Sequence, residues 1–256
     1  MGQIIFKRES GIGLIEISDP ERHNAMSLGM WTALADAVTE IDADPSVRVC
    51  VVRGAGDRAF VSGANISEFE TERNSPDAVA RYNAQVERTQ TGLARCRVPV
   101  IAAISGYCFG GGLGLALSCD LRYASTTARF RMPAARLGLG YGYESMRSFV
   151  AQLGPQAAAE AFFTARIYDA QAALGLGIVR AVVDDVFGHV QSLAVEIAGN
   201  APLTVQAGKQ AMRAALEGQT DLAAVRAAID QCFTSQDYAE GRLAFAEKRP
   251  PRFVGR

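Results

Sequence analysis

The chain is expected to fold as an α/β domain with a helical C-terminal region, and three observations lead there. Short apolar runs recur at Leu14–Ile17, Val47–Val52, Val100–Ile104 and Ile178–Val183, each of strand length and rich in β-branched residues. Between them lie stretches of helical period such as Trp31, Leu34, Val38 and Ile41, so strands alternate with helices. After about Ala194 the pattern becomes helical throughout, with Pro202 near a helix start and Ala-rich stretches to Lys248. The division is placed between residues 1–193 and 194–256. No internal repeat or low-complexity linker interrupts it.

At 256 residues and 49% hydrophobic, the chain can bury a large core. Its formal net charge of −1 supplies no basic field for nucleic acid. The opening MGQIIFKRESG lacks the apolar core of a secretory signal, and no apolar run is long enough to span a bilayer. A cytoplasmic protein without membrane or nucleic-acid partners is therefore expected. Five cysteines without CxxC spacing suit reduced, buried thiols. Two histidines, His23 and His189, leave no metal constellation, and no GxSxG elbow accompanies them for a Ser-His-Asp triad. Neither GxGxxG nor GxxxxGK[ST] is present.

The most informative stretch is PVIAAISGYCFGGGLGLALSCD, Pro99 to Asp120. Val100–Ile104 reads as a buried strand, Gly106 as a turn, and Gly110, Gly111 and Gly112 as the opening of an apolar helix. Glycines there let backbone approach a ligand that any side chain would hold off. The first N–H groups of the helix lack partners within it and can meet a developing negative charge. Close packing of helix on strand also explains a single glycine, but three in a row less readily. AFVSGANISEF, Ala59 to Phe69, is similar: Ser62, Gly63 and Ala64 follow a strand-like run and can supply a second N–H donor.

With these two segments the chain resembles the enoyl-CoA hydratase/isomerase (crotonase) superfamily, whose members carry AFxAGADI-like and PVIAAxxGxxxGGG-like segments some fifty residues apart. HNAMS at His23, RLGLG at Arg136, FFTAR at Phe162 and EKRPPRFVGR at the C-terminus extend the likeness in order along nearly the whole chain. The resemblance implies a ClpP/crotonase spiral of ββα units, with the C-terminal helices serving oligomerisation and closure of the CoA site. It also implies an acyl-CoA thioester as substrate, no separate cofactor, and a homotrimer or homohexamer. The thioester oxygen would sit between the backbone N–H groups of Ala64 and Gly111. His23, Ala25, Ser62, Gly63, Asn65, Ile66, Gly110, Gly114 and Ala134 would line the substrate. Asn65 stands where the family usually has Asp and keeps a turn-forming side chain. Lys248, in the basic C-terminal segment, would approach the CoA phosphates, although such tails also serve as solvated surface; for His23 a capping or surface role is equally open.

The departures bear on chemistry. Hydratases of the family carry one glutamate two residues after the triple glycine and another just before the LG turn; here those positions are Gly114 and Ala134. Neither holds a proton. The polar groups that remain nearby are Tyr141, Tyr143 and Glu144. Tyr141 has LGxxY spacing similar to the methylmalonyl-CoA decarboxylase branch, in which a tyrosine faces the substrate carboxylate. That branch has a polar residue at the Ala64 position and a glutamate at the Gly114 position, so the match is incomplete. Glu144 reads as a catalytic base, as a partner of Arg136 or Arg147, or as a helix N-terminal carboxylate. Three functions stay open: an acyl-CoA enzyme working through an enolate, a decarboxylase of a malonyl-type thioester, and an acyl-CoA-binding protein with little catalysis.

Overall fold

The computed structural model describes residues 2–68 and 74–256, with Ile66 described by its backbone. Ten strands are described: β1 (Gln3–Glu9), β2 (Ile12–Ser18), β3 (Val49–Gly54), β4 (Ala59–Val61), β5 (Val100–Ile104), β6 (Tyr107–Phe109), β7 (Leu121–Ser125), β8 (Arg129–Arg131), β9 (Tyr168–Asp169) and β10 (Ala181–Val183). They form a six-stranded sheet in the order β1-β2-β3-β5-β7-β10 and a four-stranded sheet β4-β6-β8-β9. Pairing is parallel except at the β1–β2 hairpin and at β8–β9.

Consecutive strands pass from one sheet to the other: β3, β5 and β7 lie in the large sheet, while β4, β6 and β8 follow each of them in the small one. This repeated step is the turn of the spiral. Helices α1 (Leu28–Ala43), α2 (Pro76–Arg95), α3 (Gly111–Leu117), α4 (Ala134–Leu137), α5 (Tyr143–Leu153), α6 (Pro155–Thr164) and α7 (Ala170–Gly175) fill the returns. The chain ends in α8 (Val186–Ala198), α9 (Pro202–Leu216), α10 (Ala223–Thr234) and α11 (Gln236–Glu247).

The period of two along each strand divides the core between two faces. Cys50 and Val52 of β3, with Val100, Ala102 and Ile104 of β5, turn toward the main core with Trp31, Leu34, Val38 and Ile41 of α1. Val49, Val51, Ile101 and Ala103 turn the other way and pack on Val186, Val190, Ala194 and Ala198 of α8. Helix α8 therefore crosses the 193/194 division and covers the sheet. The run expected as a strand at Ile178–Val183 is strand only over Ala181–Val183; Ile178 and Val179 are buried in the approach to it, so their apolarity reports core packing. Pro202 occupies the first turn of α9, where its missing N–H has no intrahelical partner to lose. Among the described residues no helix is long and apolar enough to cross a membrane, and no cluster of His, Cys, Asp or Glu is arranged to hold a metal. Cys50, Cys96, Cys108 and Cys119 are buried, as expected; Cys232 is only half-buried, because it lies on α10 away from the sheet.

Candidate functional site

Strands β4 and β6 are parallel neighbours, so the chain leaves both at the same edge of the small sheet. The segment Ser62–Asn65 follows one and Gly110–Gly112 follows the other. Residues after parallel strands are placed to bind ligands in this way. A Cβ on Gly63 would lie 3.5 Å from the Phe109 carbonyl, and one on Gly112 would collide with the Val61 carbonyl. The close approach requires glycine at 112, and the φ of +120° requires it at 63. Gly110 adopts φ 53°, ψ −115° ahead of α3, a conformation open to glycine, and its N–H donates to the Arg131 carbonyl at 2.8 Å.

Two backbone donors emerge from these turns. Gly63 O accepts from Met26 N at 2.8 Å, and Asn65 N donates to Met26 O at 2.9 Å, in a parallel bridge between Met26 and Ala64. Since a strand alternates the direction of its polar groups, Ala64 N–H points away from Met26. Gly111 is the first residue of α3, so its N–H has no intrahelical acceptor. Among the described residues neither amide has a hydrogen-bond partner. The far end of α3 is held by Arg122, whose Nη1 donates to the Cys119 carbonyl at 2.8 Å and whose Nε donates to the Ile178 carbonyl at 2.7 Å. Burial pulls the pKa of this guanidinium down.

The His23–Ala25 turn lies beside the first segment. His23 O accepts from Ser62 N at 3.2 Å, Ser62 Oγ donates to Arg22 O at 3.3 Å, and the His23 ring meets Tyr107 edge to face at 5.8 Å. Ala25 is buried. The turn is fixed by Asn24, a buried residue that the sequence reading missed: its Nδ2 donates to Ala59 O at 2.7 Å and Ala55 O at 3.1 Å, while its Oδ1 accepts from Asp19 N at 2.9 Å. Asn65 Oδ1 accepts from Ser67 N and Oγ, and its Nδ2 donates to Glu68 Oε1 at 2.9 Å, the turn role expected of it. The side chain of Ile66 and residue Phe69 lie outside the described residues.

One turn along α3, the position of Gly114 faces two polar groups. A Cβ there would stand 2.5 Å from Gln90 Nε2 and 3.2 Å from the Tyr141 hydroxyl. Tyr141 is half-buried, its ring edge-on to Phe162 at 5.8 Å, and burial pushes its hydroxyl up to about 12. Ala134 is buried at the start of α4. Glu144 sits instead on the exposed side of α5 in an ion pair with Arg147 at 2.8 Å, and Tyr143 is 77% exposed. Gln90 was also missed in the sequence. It lies on α2 in step with the buried Tyr82, Thr89 and Leu93, and that stripe was the available signal.

Lys248 is exposed at the end of α11 with φ 54°, away from these turns in sequence and in element packing. After it the tail folds back along α11. Buried Asp237 accepts from Val254 N at 2.6 Å and Gly255 N at 2.8 Å, and Phe253 O accepts from Arg48 Nη2 at 2.9 Å.

Two amides without a partner among the described residues thus lie at the end of adjacent parallel strands. The sequence model described as enoyl-CoA hydratase/isomerase matches residues 7–256, and the chain belongs to that family. It is similar to a crotonyl-CoA hydratase of Syntrophomonas wolfei, 31% identical with 99% of this chain and 98% of the relative covered. A short-chain-enoyl-CoA hydratase of Clostridium acetobutylicum is 31% identical, with 97% and 96% covered. Among solved structures, an enoyl-CoA hydratase/carnithine racemase from Magnetospirillum magneticum superposes with a TM-score of 0.93 at 36% identity, covering 100% of this chain and 97% of the other. The fold is that of the crotonase family.

Proposed function

We propose that the chain processes acyl-CoA thioesters by stabilising an enolate between the N–H groups of Ala64 and Gly111, without the hydratase glutamate pair. The observation that carries this reading is that among the described residues both amides are unpartnered, and that they emerge from adjacent parallel strands. His23, Ala25, Ser62, Gly63, Asn65, Ile66 and Gly110 frame the thioester. Tyr141 serves substrate selection or proton transfer, and Glu144, in the same loop, is a carboxylate available as a base if its pair with Arg147 opens. Removing one donor of such a hole costs about 2.7–4 kcal/mol of transition-state stabilisation.

A second reading, decarboxylation of a malonyl-type thioester, is favoured by the neutral surroundings of Gly114 and Ala134. The bond from C2 to the carboxylate breaks, its electron pair enters the thioester as an enolate held by the two amides, CO2 leaves, and C2 then takes a proton. No carboxylate base is required. Binding without catalysis is the third outcome that the absence of acid and base groups supports. Lys248 would meet the CoA phosphates of a neighbouring subunit. A homotrimer or homohexamer in the cytoplasm follows from the same reading, and the exposed Phe233, Tyr238 and Phe245 around a groove of about 870 Å³ in the last helices support assembly.

The test is a mass-spectrometric screen of the purified protein against enoyl-CoA, 3-hydroxyacyl-CoA and malonyl-type CoA thioesters, repeated with Gly111→Pro. Proline is tolerated in a helix's first turn but has no N–H to give. Any turnover found should vanish in the variant, and because a side chain at 111 meets the Trp31 ring, circular dichroism must establish that the variant is folded. Full activity in folded Gly111→Pro would exclude that amide as a donor.

A further inference from the structure

We propose that Gln90 determines substrate specificity, forming with Tyr141 a two-donor subsite for an acceptor oxygen on the acyl chain. The proposal rests on the acyl-CoA reading above and deepens it. Gln90 is 8% exposed, and its Oε1 accepts from Ser145 Oγ at 3.3 Å. With the oxygen so engaged, the amide nitrogen is the end turned toward Gly114, and the Tyr141 hydroxyl approaches the same position. Among the described residues neither Nε2 nor that hydroxyl has a hydrogen-bond partner. Neither is among the described side-chain atoms sealed from solvent without a partner, which are the Tyr168 hydroxyl and Arg213 Nε, so both donors are open to an incoming acceptor. A ligand oxygen can take that place.

The chemistry of the ligand follows from the donors. An amide does not titrate, and the Tyr141 hydroxyl, raised to about 12 by burial, stays protonated at neutral pH. Both groups give hydrogen bonds and neither repels a negative charge. Gly114 lies three residues beyond Gly111, about 4.5 Å along the helix axis. That separation suits two oxygens on one short acyl chain, the thioester oxygen at Gly111 and a second oxygen at the Gln90 and Tyr141 donors beside Gly114. The second oxygen is a carboxylate or a ketone. A saturated acyl chain would leave the donors unpaired, and sites built to hydrogen-bond a substrate group discriminate strongly against analogues that lack it.

Affinities of the intact protein for butyryl-CoA, acetoacetyl-CoA and malonyl-CoA decide the matter. Rapid ultrafiltration with mass spectrometry of bound and free thioester counts only unreacted ligand. Acetoacetyl-CoA, malonyl-CoA or both should bind more tightly than butyryl-CoA, the preferred one naming the oxygen as ketone or carboxylate. Gln90→Leu should shrink that preference by about ten- to a hundredfold for malonyl-CoA and about two- to tenfold for acetoacetyl-CoA. Gln90→Glu keeps the size and adds a charge, so it should weaken malonyl-CoA more than acetoacetyl-CoA, a difference that loss of packing would not produce. Should Gln90→Leu not fold, Gln90→Glu alone decides. Equal affinities in the wild type, or a preference unchanged by the folded variants, would overturn the subsite. Failure of all three thioesters to bind would instead overturn the acyl-CoA reading itself.

Discussion

The indole of Trp31 lies against Gly111: a methyl group on that glycine would stand 3.1 Å from Cζ2 of the ring. Trp31 is the single tryptophan of the chain, 1% exposed, and its Nε1–H donates to the Tyr82 hydroxyl at 3.0 Å. Occupation of the Gly111 amide should therefore change tryptophan emission. Titration of the protein with a CoA thioester should give a saturable fluorescence change that Trp31→Phe abolishes. Saturating thioester with unchanged emission would argue that it binds elsewhere.

Hydration of crotonyl-CoA should be slower than in glutamate-bearing relatives by several orders of magnitude. Gly114 and Ala134 carry no proton, and each acid or base group contributes typically about 10²- to 10⁴-fold. Loss of the enoyl absorbance measures the rate. A kcat similar to those relatives would defeat the argument and require another water-activating group.

Glu144→Gln separates two roles of one carboxylate. Its pair with Arg147 is exposed, so stability should change by less than about 1 kcal/mol on chemical denaturation. A reaction that needs a base should slow in this variant, whereas decarboxylation should continue. Wild-type rates on every substrate turned over would leave Glu144 as surface.

Lys209 of α9 joins the C-terminal helices to the sheet. Lys209 is 5% exposed, and its ammonium donates to Asp120 Oδ2 at 2.6 Å and to the Val98 carbonyl at 2.9 Å, while the same Oδ2 accepts from Val100 N at 2.7 Å. Asp120→Ala strands the buried ammonium. One-third exposure of the carboxylate lets water screen the pair, so the loss should be about 3 kcal/mol, the lower end for a broken buried pair. Urea unfolding measures it, and a change under about 1 kcal/mol would show that the pair does not hold the region.

Alkaline pH should destabilise the fold. Burial raises Cys96 and Cys119 from 9.0 to about 12 and Tyr141 from 10.0 to about 12. The folded state thus keeps protons that the unfolded chain releases. Stability is fully present below pH 9 and is lost as pH rises from 9 toward 12. The melting temperature should fall across that window, and a flat profile would contradict the burial. In the native protein at neutral pH a thiol reagent should label Cys232 and leave the four buried thiols intact.

The strand, glycine turn and helix of residues 100–117 were legible because apolar run, glycine and periodicity agree locally. Helix α1 was legible for the same reason, since Trp31, Leu34, Val38 and Ile41 all face the core. The glycines at 63 and 110 stand at positive φ and Gly112 stands against the Val61 carbonyl, so each of these glycines answers to a backbone constraint. Gln90 and Asn24 were not legible. Each is a neutral polar residue whose partners lie 24 or more positions away or in a neighbouring turn, and a lone amide on an amphipathic helix reads as surface. Glu144 illustrates the converse: its nearness in sequence to Tyr141 suggested a shared site, but a helix start separates a half-buried hydroxyl from a carboxylate in water.

Gln90 and any side chain at position 114 compete for one volume, since a Cβ on Gly114 would stand 2.5 Å from the Gln90 amide nitrogen. This exclusion imposes an order on sequence change. A side chain gained at 114 first would meet an occupied space and be selected against before it could act, whereas shortening of residue 90 opens the space at the cost of two donors. Gain of a glutamate at 114 must therefore pass through a form that has given up its present polar contacts and has no new ones. Drift among close descendants of this chain is thereby directed toward retaining the glutamine and the glycine together or losing both.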